Sequence, residues 1–166
     1  MNNVEMRRVK RGDAKALAYI QTESWRVAFA GILSSEELEK ATNAAVVEER
    51  YRKILAENPP DGSLLSVDGR PHCMAFWGKC RGEICPDSAE LICIHSLQSN
   101  WGRGYGSVMM QHVLSEMKEA GYAEAVLWVF EDNLRARRFY EKHGFVLTDY
   151  RKNTRNAVEV MYHKVL

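Results

Sequence analysis

The residues most suited to chemistry form the run Trp101-Gly102-Arg103-Gly104-Tyr105-Gly106, which we call the glycine loop. It lies between the apolar stretch Leu91 to Leu97 and the amphipathic stretch Ser107 to Ala120, a pattern that predicts strand, loop and helix. Glycines can take positive φ and bring the backbone close to a ligand. The first turn of the helix that follows adds unpaired N–H groups and the positive end of a dipole. Together these features predict a phosphate-binding loop.

The spacing of the glycines excludes two common phosphate loops. No Gly-Lys-Ser/Thr follows, as a P-loop requires, and three alternating glycines do not make the G-x-G-x-x-G of a dinucleotide fold. A plain strand-to-helix turn would explain one glycine but not three in five positions. The phosphate is therefore expected to belong to another carrier.

The composition indicates a globular protein without a strongly charged partner. At 166 residues, 46% hydrophobic and 27% charged, the chain is expected to form one domain over residues 1–166. Its 23 Lys+Arg against 22 Asp+Glu give a net charge of +1, so neither nucleic acid nor an anionic membrane is an expected partner. The sequence has no apolar run near the ~20 residues of a membrane span and no signal-peptide core. A cytoplasmic location is the expectation.

The four cysteines do not have the spacing of a metal site. No C-x-x-C pair occurs among the four, which are Cys73, Cys80, Cys85 and Cys93. Two of them, Cys73 and Cys93, lie in apolar, strand-like runs. A thiol in such a run packs as a small hydrophobic group. We therefore expect buried or incidental thiols and no metal.

The elements that would position the glycine loop follow from periodicity and turn signals. They alternate in the order strand, helices, three strands, helix, strand, helix and two strands. The predicted helices cover residues 13–28, a segment from Ser34, and residues 43–56, 107–120 and 133–143; the predicted strands cover residues 4–9, 64–67, 72–79, 90–97, 125–130, 145–150 and 157–164; and turns are predicted at 58–62, 68–69 and 152–156.

Two blocks of sequence resemble the GNAT N-acetyltransferase superfamily. Glu90 to Ser96 followed by the glycine loop is similar to the family's fourth strand and its Q/R-x-x-G-x-G/A pyrophosphate loop. The second block, Asn133 to Phe145, is similar to the family signature N-x-x-A-x-x-F-Y-x-x-x-G-F. Its sequence is Asn-Leu-Arg-Ala-Arg-Arg-Phe-Tyr-Glu-Lys-His-Gly-Phe. The resemblance implies a mixed α/β fold with a mostly antiparallel sheet flanked by helices. In that fold the sheet splays between its fourth and fifth strands, and acetyl-CoA lies in the gap.

The chain departs from the family pattern at two places. Trp101 stands where the family usually has Gln or Arg, which removes a polar side chain but leaves the backbone cradle. Leu97-Gln98-Ser99 replaces the proline that commonly follows the fourth strand. The end of that strand is therefore less well specified than the loop.

The resemblance also implies how acetyl-CoA would be held. The pyrophosphate would be bound by backbone N–H groups of the glycine loop and the helix start, namely those of Gly102, Arg103, Gly104, Tyr105, Gly106 and Ser107. The backbone of Ile94, His95 and Ser96 would pair with pantetheine as an added strand, and an N–H there could polarise the thioester carbonyl. Asn133 is expected to cap a helix and, with Ala136, to contact the cofactor arm or a catalytic water.

For the chemistry, the resemblance points to Tyr140, whose phenol could also contact the cofactor and give a proton to the departing thiolate. Aromatic packing beside Phe139 is its alternative role. An amine is mostly protonated at neutral pH, so a group must accept a proton, and Glu90, His95 and Glu23 are the candidates. Of these, His95 has the most suitable intrinsic pKa. Since no Cys or Ser lies in a recognisable nucleophile setting, direct transfer in a ternary complex is favoured over an acyl-enzyme.

The sequence gives fewer signals for the residues that bind the acceptor amine than for those that bind the cofactor. The segment Glu23 to Ile32 resembles the helix-to-loop region that lines the acceptor site in many small bacterial members, which makes Glu23, Trp25 and Phe29 candidates for substrate binding. Trp25 and Phe29 are one turn apart and would equally suit the core. An arginine cluster could meet the cofactor phosphate or form a solvated helix face: Arg135, Arg137 and Arg138.

The predicted function is N-acetylation of a primary amine of a small molecule or peptide by acetyl-CoA. A protein N-terminal or lysine acetyltransferase is the first alternative. A non-catalytic acyl-CoA-binding sensor is the second, and intact Asn133 and Tyr140 argue against it. Because many family members dimerise through their last strands, the resemblance also implies a homodimer.

Overall fold

Seven strands and five helices build the structure, a computed structural model that describes residues 2–166. The strands are β1 (Val4–Arg8), β2 (Asp61–Val67), β3 (Arg70–Lys79), β4 (Ala89–Ser96), β5 (Glu124–Phe130), β6 (Val146–Thr154) and β7 (Ala157–Val165). The α-helices are α1 (Ala14–Ala28), α2 (Ser35–Ala41), α3 (Ala44–Ala56), α4 (Tyr105–Glu119) and α5 (Leu134–Lys142). Short 3₁₀ turns lie at Arg11–Asp13 and Gln98–Asn100.

The strands form one mixed sheet in the order β1-β2-β3-β4-β5-β7-β6. The β4–β5 pair is parallel, and the other neighbours in the described part of the chain are antiparallel. This arrangement confirms the predicted mixed, mostly antiparallel sheet. Two-residue turns join β2 to β3 and β6 to β7, whereas β4 and β5 are joined through α4, as parallel strands require.

The centre of the sheet opens because β4 and β5 stay together for only three residues. Their pairing begins at Ala89 and Ala125 and ends at Leu91 and Leu127. The register between β3 and β4 shifts at the next residue, which leaves Ile92 without a partner in β3. Such a bulge bends its strand and increases the local twist. Beyond it β4 follows β3 and β5 follows β7, so the predicted splay is confirmed and a gap runs between the two strands.

Helices pack on both faces of the sheet, against strands on either side of this gap. On one face, α4 packs against the sheet together with Tyr140 of α5. The side chains that α4 buries there are Met109, Met110, Val113 and Met117. On the other face, α1 and α3 pack their apolar sides, including Leu17 and Tyr51, against β2 and β3. Within residues 2–166 no helix is long and apolar enough to cross a membrane.

Two of the predicted turns are shorter in the structure than the sequence indicates. The predicted loop at 58–62 ends earlier, because β2 already begins at Asp61. Gly62 pairs with Phe76 across the strands, and the Phe76 ring fills the space that a side chain at position 62 would need. The predicted turn at 152–156 shrinks to Arg155 and Asn156, whose positive φ values of 52° and 60° make a tight two-residue turn.

Gly62→Ala tests the packing that starts β2. A Cβ at this position would overlap the Phe76 ring, so we expect unfolding to become easier by about 1–3 kcal/mol, the usual cost of overpacking a core. Urea denaturation followed by circular dichroism measures this. Gly12→Ala is the matched control, since its Cβ would meet nothing within 4 Å. Equal stability of the two variants would contradict the packing argument.

Candidate active site

The gap between β4 and β5 leads into two cavities that form one cleft. The first, the α1 cavity, has a volume of about 220 Å³ and is lined by α1, β4 and the ends of β5 and β7. The second, the loop cavity, has a volume of about 310 Å³ and is lined by the glycine loop and α5. Both cavities share the following lining residues: Ile94, Ser96, Trp101, Arg135, Ala136 and Tyr140. A ligand lying along β4 would therefore contact both.

The glycine loop requires glycine at two of its three glycine positions. Gly102 and Gly104 have φ values of +78° and +87°, a region that side chains other than glycine rarely adopt. Gly106 lies inside the first turn of α4, where a Cβ would lie 3.5 Å from the Phe139 ring, an ordinary van der Waals contact. The expectation of positive φ therefore holds at the first two glycines. Gly106 has no positive φ, and its surroundings leave room for a Cβ.

The first turn of α4 offers backbone donors to the loop cavity. The first hydrogen bond into the helix joins the Val108 N–H to the Gly104 carbonyl at 3.1 Å. The N–H groups of Tyr105, Gly106 and Ser107 precede it and have no partner within the helix. Arg103 differs from the sequence expectation, because its N–H donates to the Asn100 carbonyl at 3.4 Å and its side chain does not line the cavity.

The charge of the loop cavity suits an anion. Arg135 and Lys142 of α5 line it, and no carboxylate does so among the described residues. Lys142 is not among the site residues predicted from the sequence, although it lies in the second family block. Arg137 and Arg138 line neither cavity, and Arg137 instead donates to the Tyr162 hydroxyl at 2.9 Å. The arginine cluster is thus divided between a cavity and the helix surface.

The backbone of β4 borders the cleft. After Leu91 its edge toward β5 has no strand partner, and Ile94, His95 and Ser96 line the α1 cavity. The Trp101 indole N–H donates to the Ser96 carbonyl at 3.0 Å, and the Arg135 guanidinium lies 3.2 Å from the centre of the Trp101 ring. Trp101 therefore ties the glycine loop to the end of β4, a role that its unusual side chain did not suggest.

Tyr140 and Asn133 both come from the second block. Tyr140 is 8% exposed and lines both cavities, and no hydrogen bond joins its hydroxyl to another side chain or backbone group of residues 2–166. Burial raises the pKa of this phenol, so it keeps its proton at neutral pH. Asn133 lines the α1 cavity, and its side-chain oxygen accepts the Ala136 N–H at 3.2 Å. The predicted helix cap is confirmed.

Aromatic side chains form one wall of the α1 cavity. The rings of Trp25 and Phe29 lie 4.9 Å apart, and Phe29 meets Phe130 of β5 at 5.0 Å. Trp25 of α1 and Phe29, the residue that follows α1, both line the cavity while packing on each other. Glu23 does not join them, since its carboxylate pairs with Arg26 and it lines neither cavity.

The candidate proton acceptors are poorly placed. His95 lines the α1 cavity, but its Nε2 accepts the Trp25 indole N–H at 3.2 Å, and burial lowers its pKa to about 4. Glu90 lines neither cavity, because the Arg81 side chain holds its carboxylate at 2.6 and 3.1 Å. Burial alone would raise the pKa of Glu90, but the hydrogen bonds and charge of Arg81 outweigh it and lower that pKa. Neither group is set up to take a proton from an amine.

Glu159 is the carboxylate that lines the α1 cavity. One of its oxygens accepts from the Thr154 hydroxyl at 2.7 Å and lies 3.5 Å from the Lys152 ammonium. Sequence reasoning missed this residue because it belongs to no motif. The alternation of β7 could have found it, since Val160 and Tyr162 face the core beside α4 and Glu159 must therefore face the other side.

The comparisons with known proteins agree with this geometry. The sequence model of the acetyltransferase (GNAT) family matches residues 24–145, and the chain belongs to that family. Spermidine N(1)-acetyltransferase of Thermoplasma acidophilum is 24% identical over 147 residues, which cover 89% of this chain and 91% of that protein. The chain is an acetyl-CoA-dependent acyltransferase, as the family is.

Solved structures show the same fold. The PaiA N-acetyltransferase of Thermoplasma acidophilum, in complex with coenzyme A, superimposes with a TM-score of 0.83 at 20% identity, covering 99% of both chains. The yncA structure of Salmonella typhimurium, with its cofactor acetyl-CoA, gives a TM-score of 0.71 at 14% identity and covers 98% of this chain and 93% of that one. These likenesses establish the GNAT fold.

Gly104→Ala tests the glycine loop. Its Cβ would meet nothing within 4 Å, so the cost is that of left-handed backbone, about 1–2 kcal/mol for a residue other than glycine. We expect the loop to relax away from this conformation and acetyl-CoA affinity to fall roughly tenfold, about 1.4 kcal/mol. Isothermal titration calorimetry measures the affinity.

Gly69→Ala is the matched control for that variant. It has a φ of +75° and equally open surroundings, but it lies in the β2–β3 turn. It should lose similar stability and keep its acetyl-CoA affinity. A comparable loss of affinity in both variants would refute a specific role of the loop.

Proposed function

We propose that the protein transfers the acetyl group of acetyl-CoA directly to a primary amine of a small molecule or peptide. The observation that carries the proposal is the single cleft in which the open edge of β4, the free donors of α4 and the Tyr140 hydroxyl all meet. Acetyl-CoA supplies the reactive thioester and the acetyl group. The α1 cavity, on the far side of Tyr140 from the glycine loop, would hold the amine.

The proposed binding mode uses backbone more than side chains. The N–H groups of Tyr105, Gly106 and Ser107 would bind the pyrophosphate, with Arg135 and Lys142 adding positive charge. The backbone of Ile94 and Ser96 would pair with the pantetheine arm, because a strand edge without a partner offers alternating donors and acceptors. Ala136 and Asn133 line the cleft beside that arm.

Transfer needs a new C–N bond and the loss of the C–S bond. The lone pair of the amine attacks the thioester carbonyl carbon, and the sulfur leaves as a thiolate that takes the Tyr140 proton. The nitrogen loses two protons in all, of which one restores the proton that Tyr140 gave to the thiolate and one is released to solvent. An acyl-enzyme is disfavoured, because burial raises the pKa of the Cys93 thiol in the α1 cavity to about 12 and keeps it protonated.

Tyr140→Phe removes the proposed proton donor and keeps the ring. We expect kcat to fall about 100-fold, within the usual range for general acid–base catalysis, while acetyl-CoA affinity stays within about twofold. Thiol release measures turnover, and calorimetry measures affinity. Tyr162→Phe is the matched control, since that hydroxyl binds Arg137 and Glu141 and lines neither cavity. Unchanged turnover of Tyr140→Phe would rule out the assignment.

For the proton on the amine, we propose Glu159 as the acceptor in place of Glu90, Glu23 and His95. Its second oxygen has no hydrogen-bond partner within residues 2–166, so it can accept from an ammonium group directly or through one water. Thr154 and Lys152 hold the first oxygen and fix the orientation of the carboxylate.

Glu159→Gln keeps the shape and the contact with Thr154 but cannot take a proton. We expect kcat/KM for the amine to fall about 100-fold, with acetyl-CoA affinity unchanged. Steady-state kinetics with varied amine concentration measure the effect. Glu124→Gln, at the opposite end of β5 from Phe130, should keep wild-type kinetics because its carboxylate pairs with His163 outside both cavities. Equal kinetics of the two variants would exclude Glu159.

The structure favours a small acceptor over a folded protein. Arg155, on the β6–β7 turn, lines the α1 cavity and lies 3.8 Å from Glu37 of α2. We therefore place this turn at the entrance of the cavity, where it would leave room for a small amine but not for a folded protein. A non-catalytic acyl-CoA sensor would bind acetyl-CoA without consuming it in the presence of any amine, and that assay separates it from an enzyme.

A further inference from the structure

The charged side chains that line the α1 cavity do not suit a polycation. They are two guanidinium groups, Arg135 and Arg155, and one carboxylate, Glu159. Lys152 already lies 3.5 Å from that carboxylate. A polyamine would bring several ammonium groups to a cavity whose one lining carboxylate is shared, and like charges at such distances repel. The balance of charge instead suits an acceptor that carries an anion.

Arg155 is the side chain best able to bind that anion. Its ion pair with Glu37, at 3.8 Å, is too long for a hydrogen bond. Its guanidinium also lies 5.8 Å from the centre of the Trp25 ring, which places it at the aromatic wall of the cavity. Its side chain makes no hydrogen bond within residues 2–166, so its N–H donors remain available to a planar carboxylate.

Arg135 lies at the junction of the two cavities, so it is less suited than Arg155 to bind the acceptor. It stacks on Trp101 and lines both cavities, so it lies at the junction next to the cofactor arm. Arg155 and Glu159, by contrast, come from the same β6–β7 hairpin and line only the α1 cavity. A cation and an anion on one hairpin match the two charges of a zwitterion.

We propose that the acceptor is an amino acid or a similar small amine with a carboxylate a few bonds from its nitrogen. Arg155 binds the carboxylate, and Glu159 binds the ammonium group that is to be acetylated. This inference rests on the proposed acetyltransferase function and narrows its acceptor class. It separates this chain from spermidine N(1)-acetyltransferase, whose name gives a polyamine as its substrate.

An acceptor panel tests the inference with the whole chain. The panel contains α-, β- and γ-amino acids, the amide of each, spermidine and a tripeptide blocked at its carboxyl end, with thiol release and product mass as readouts. We expect kcat/KM for the best amino acid to exceed that of its amide at least about tenfold, the ratio that one charge-assisted hydrogen bond supplies. An amide, the tripeptide or spermidine used as well as or better than every amino acid would overturn the inference while leaving an acetyltransferase.

Variants of Arg155 test whether this side chain causes the preference for an amino acid over its amide. In Arg155→Gln the preference for acid over amide should fall to within about threefold of unity, because only the acid offers a carboxylate to the guanidinium charge. In Arg155→Glu the preference should shift toward spermidine. Arg151→Gln is the matched control on the same hairpin, because Arg151 pairs with Glu131 and lines neither cavity. A preference for the acid that survives in Arg155→Gln would also overturn the inference.

Circular dichroism and acetyl-CoA affinity show whether each variant folds. A wild-type protein that binds acetyl-CoA and acetylates nothing in the panel would contradict the proposed function itself. That result differs from one in which amines are acetylated but the acid is not preferred. The two failures are therefore distinguishable.

Discussion

The separation of β4 from β5 is the constraint on which the rest of the structure depends. Backbone groups in a sheet centre normally pair on both sides, and leaving them unpaired is costly unless a ligand or water replaces the missing strand. Here the pairing stops at Leu91 and Leu127, and the bulge at Ile92 turns β4 away. The two cores, one on each face, hold the diverging strands in place. The cleft is thus part of the sheet architecture and does not depend on a mobile loop.

The half of the cleft that would bind the cofactor is built from short, continuous pieces of chain. The last residues of β4, the glycine loop and the start of α4 follow one another in sequence, and α5 adds one further block. Local geometry fixes most of what this half requires: positive φ at Gly102 and Gly104, free amides before Val108, and a cap at Asn133. This is why spacing alone pointed to a phosphate loop before the fold was known.

Sequence reasoning was less successful where the answer depends on side-chain partners. The element order and the central splay were predicted, because periodicity, turn residues and the two family blocks report them. The pairing of Glu90 with Arg81 and of His95 with Trp25 could not be predicted, since each pair is brought together by the sheet and by α1 packing on it. Candidate bases chosen by residue type alone were therefore misplaced. Positive φ was likewise expected at all three glycines of the loop, but Gly106 lies in the first turn of α4 and does not have it.

The acceptor side also explains why family membership does not identify a substrate. The family match ends at residue 145, whereas Arg155 and Glu159 lie beyond it on the β6–β7 hairpin. The turn of this hairpin requires positive φ at two positions, where glycine or asparagine costs least. Asn156 meets that preference, but Arg155, at a φ of 52°, does not. Side chains kept at unfavourable backbone positions are concentrated at functional sites, and here that side chain lies at the wall of the cavity that would hold the amine.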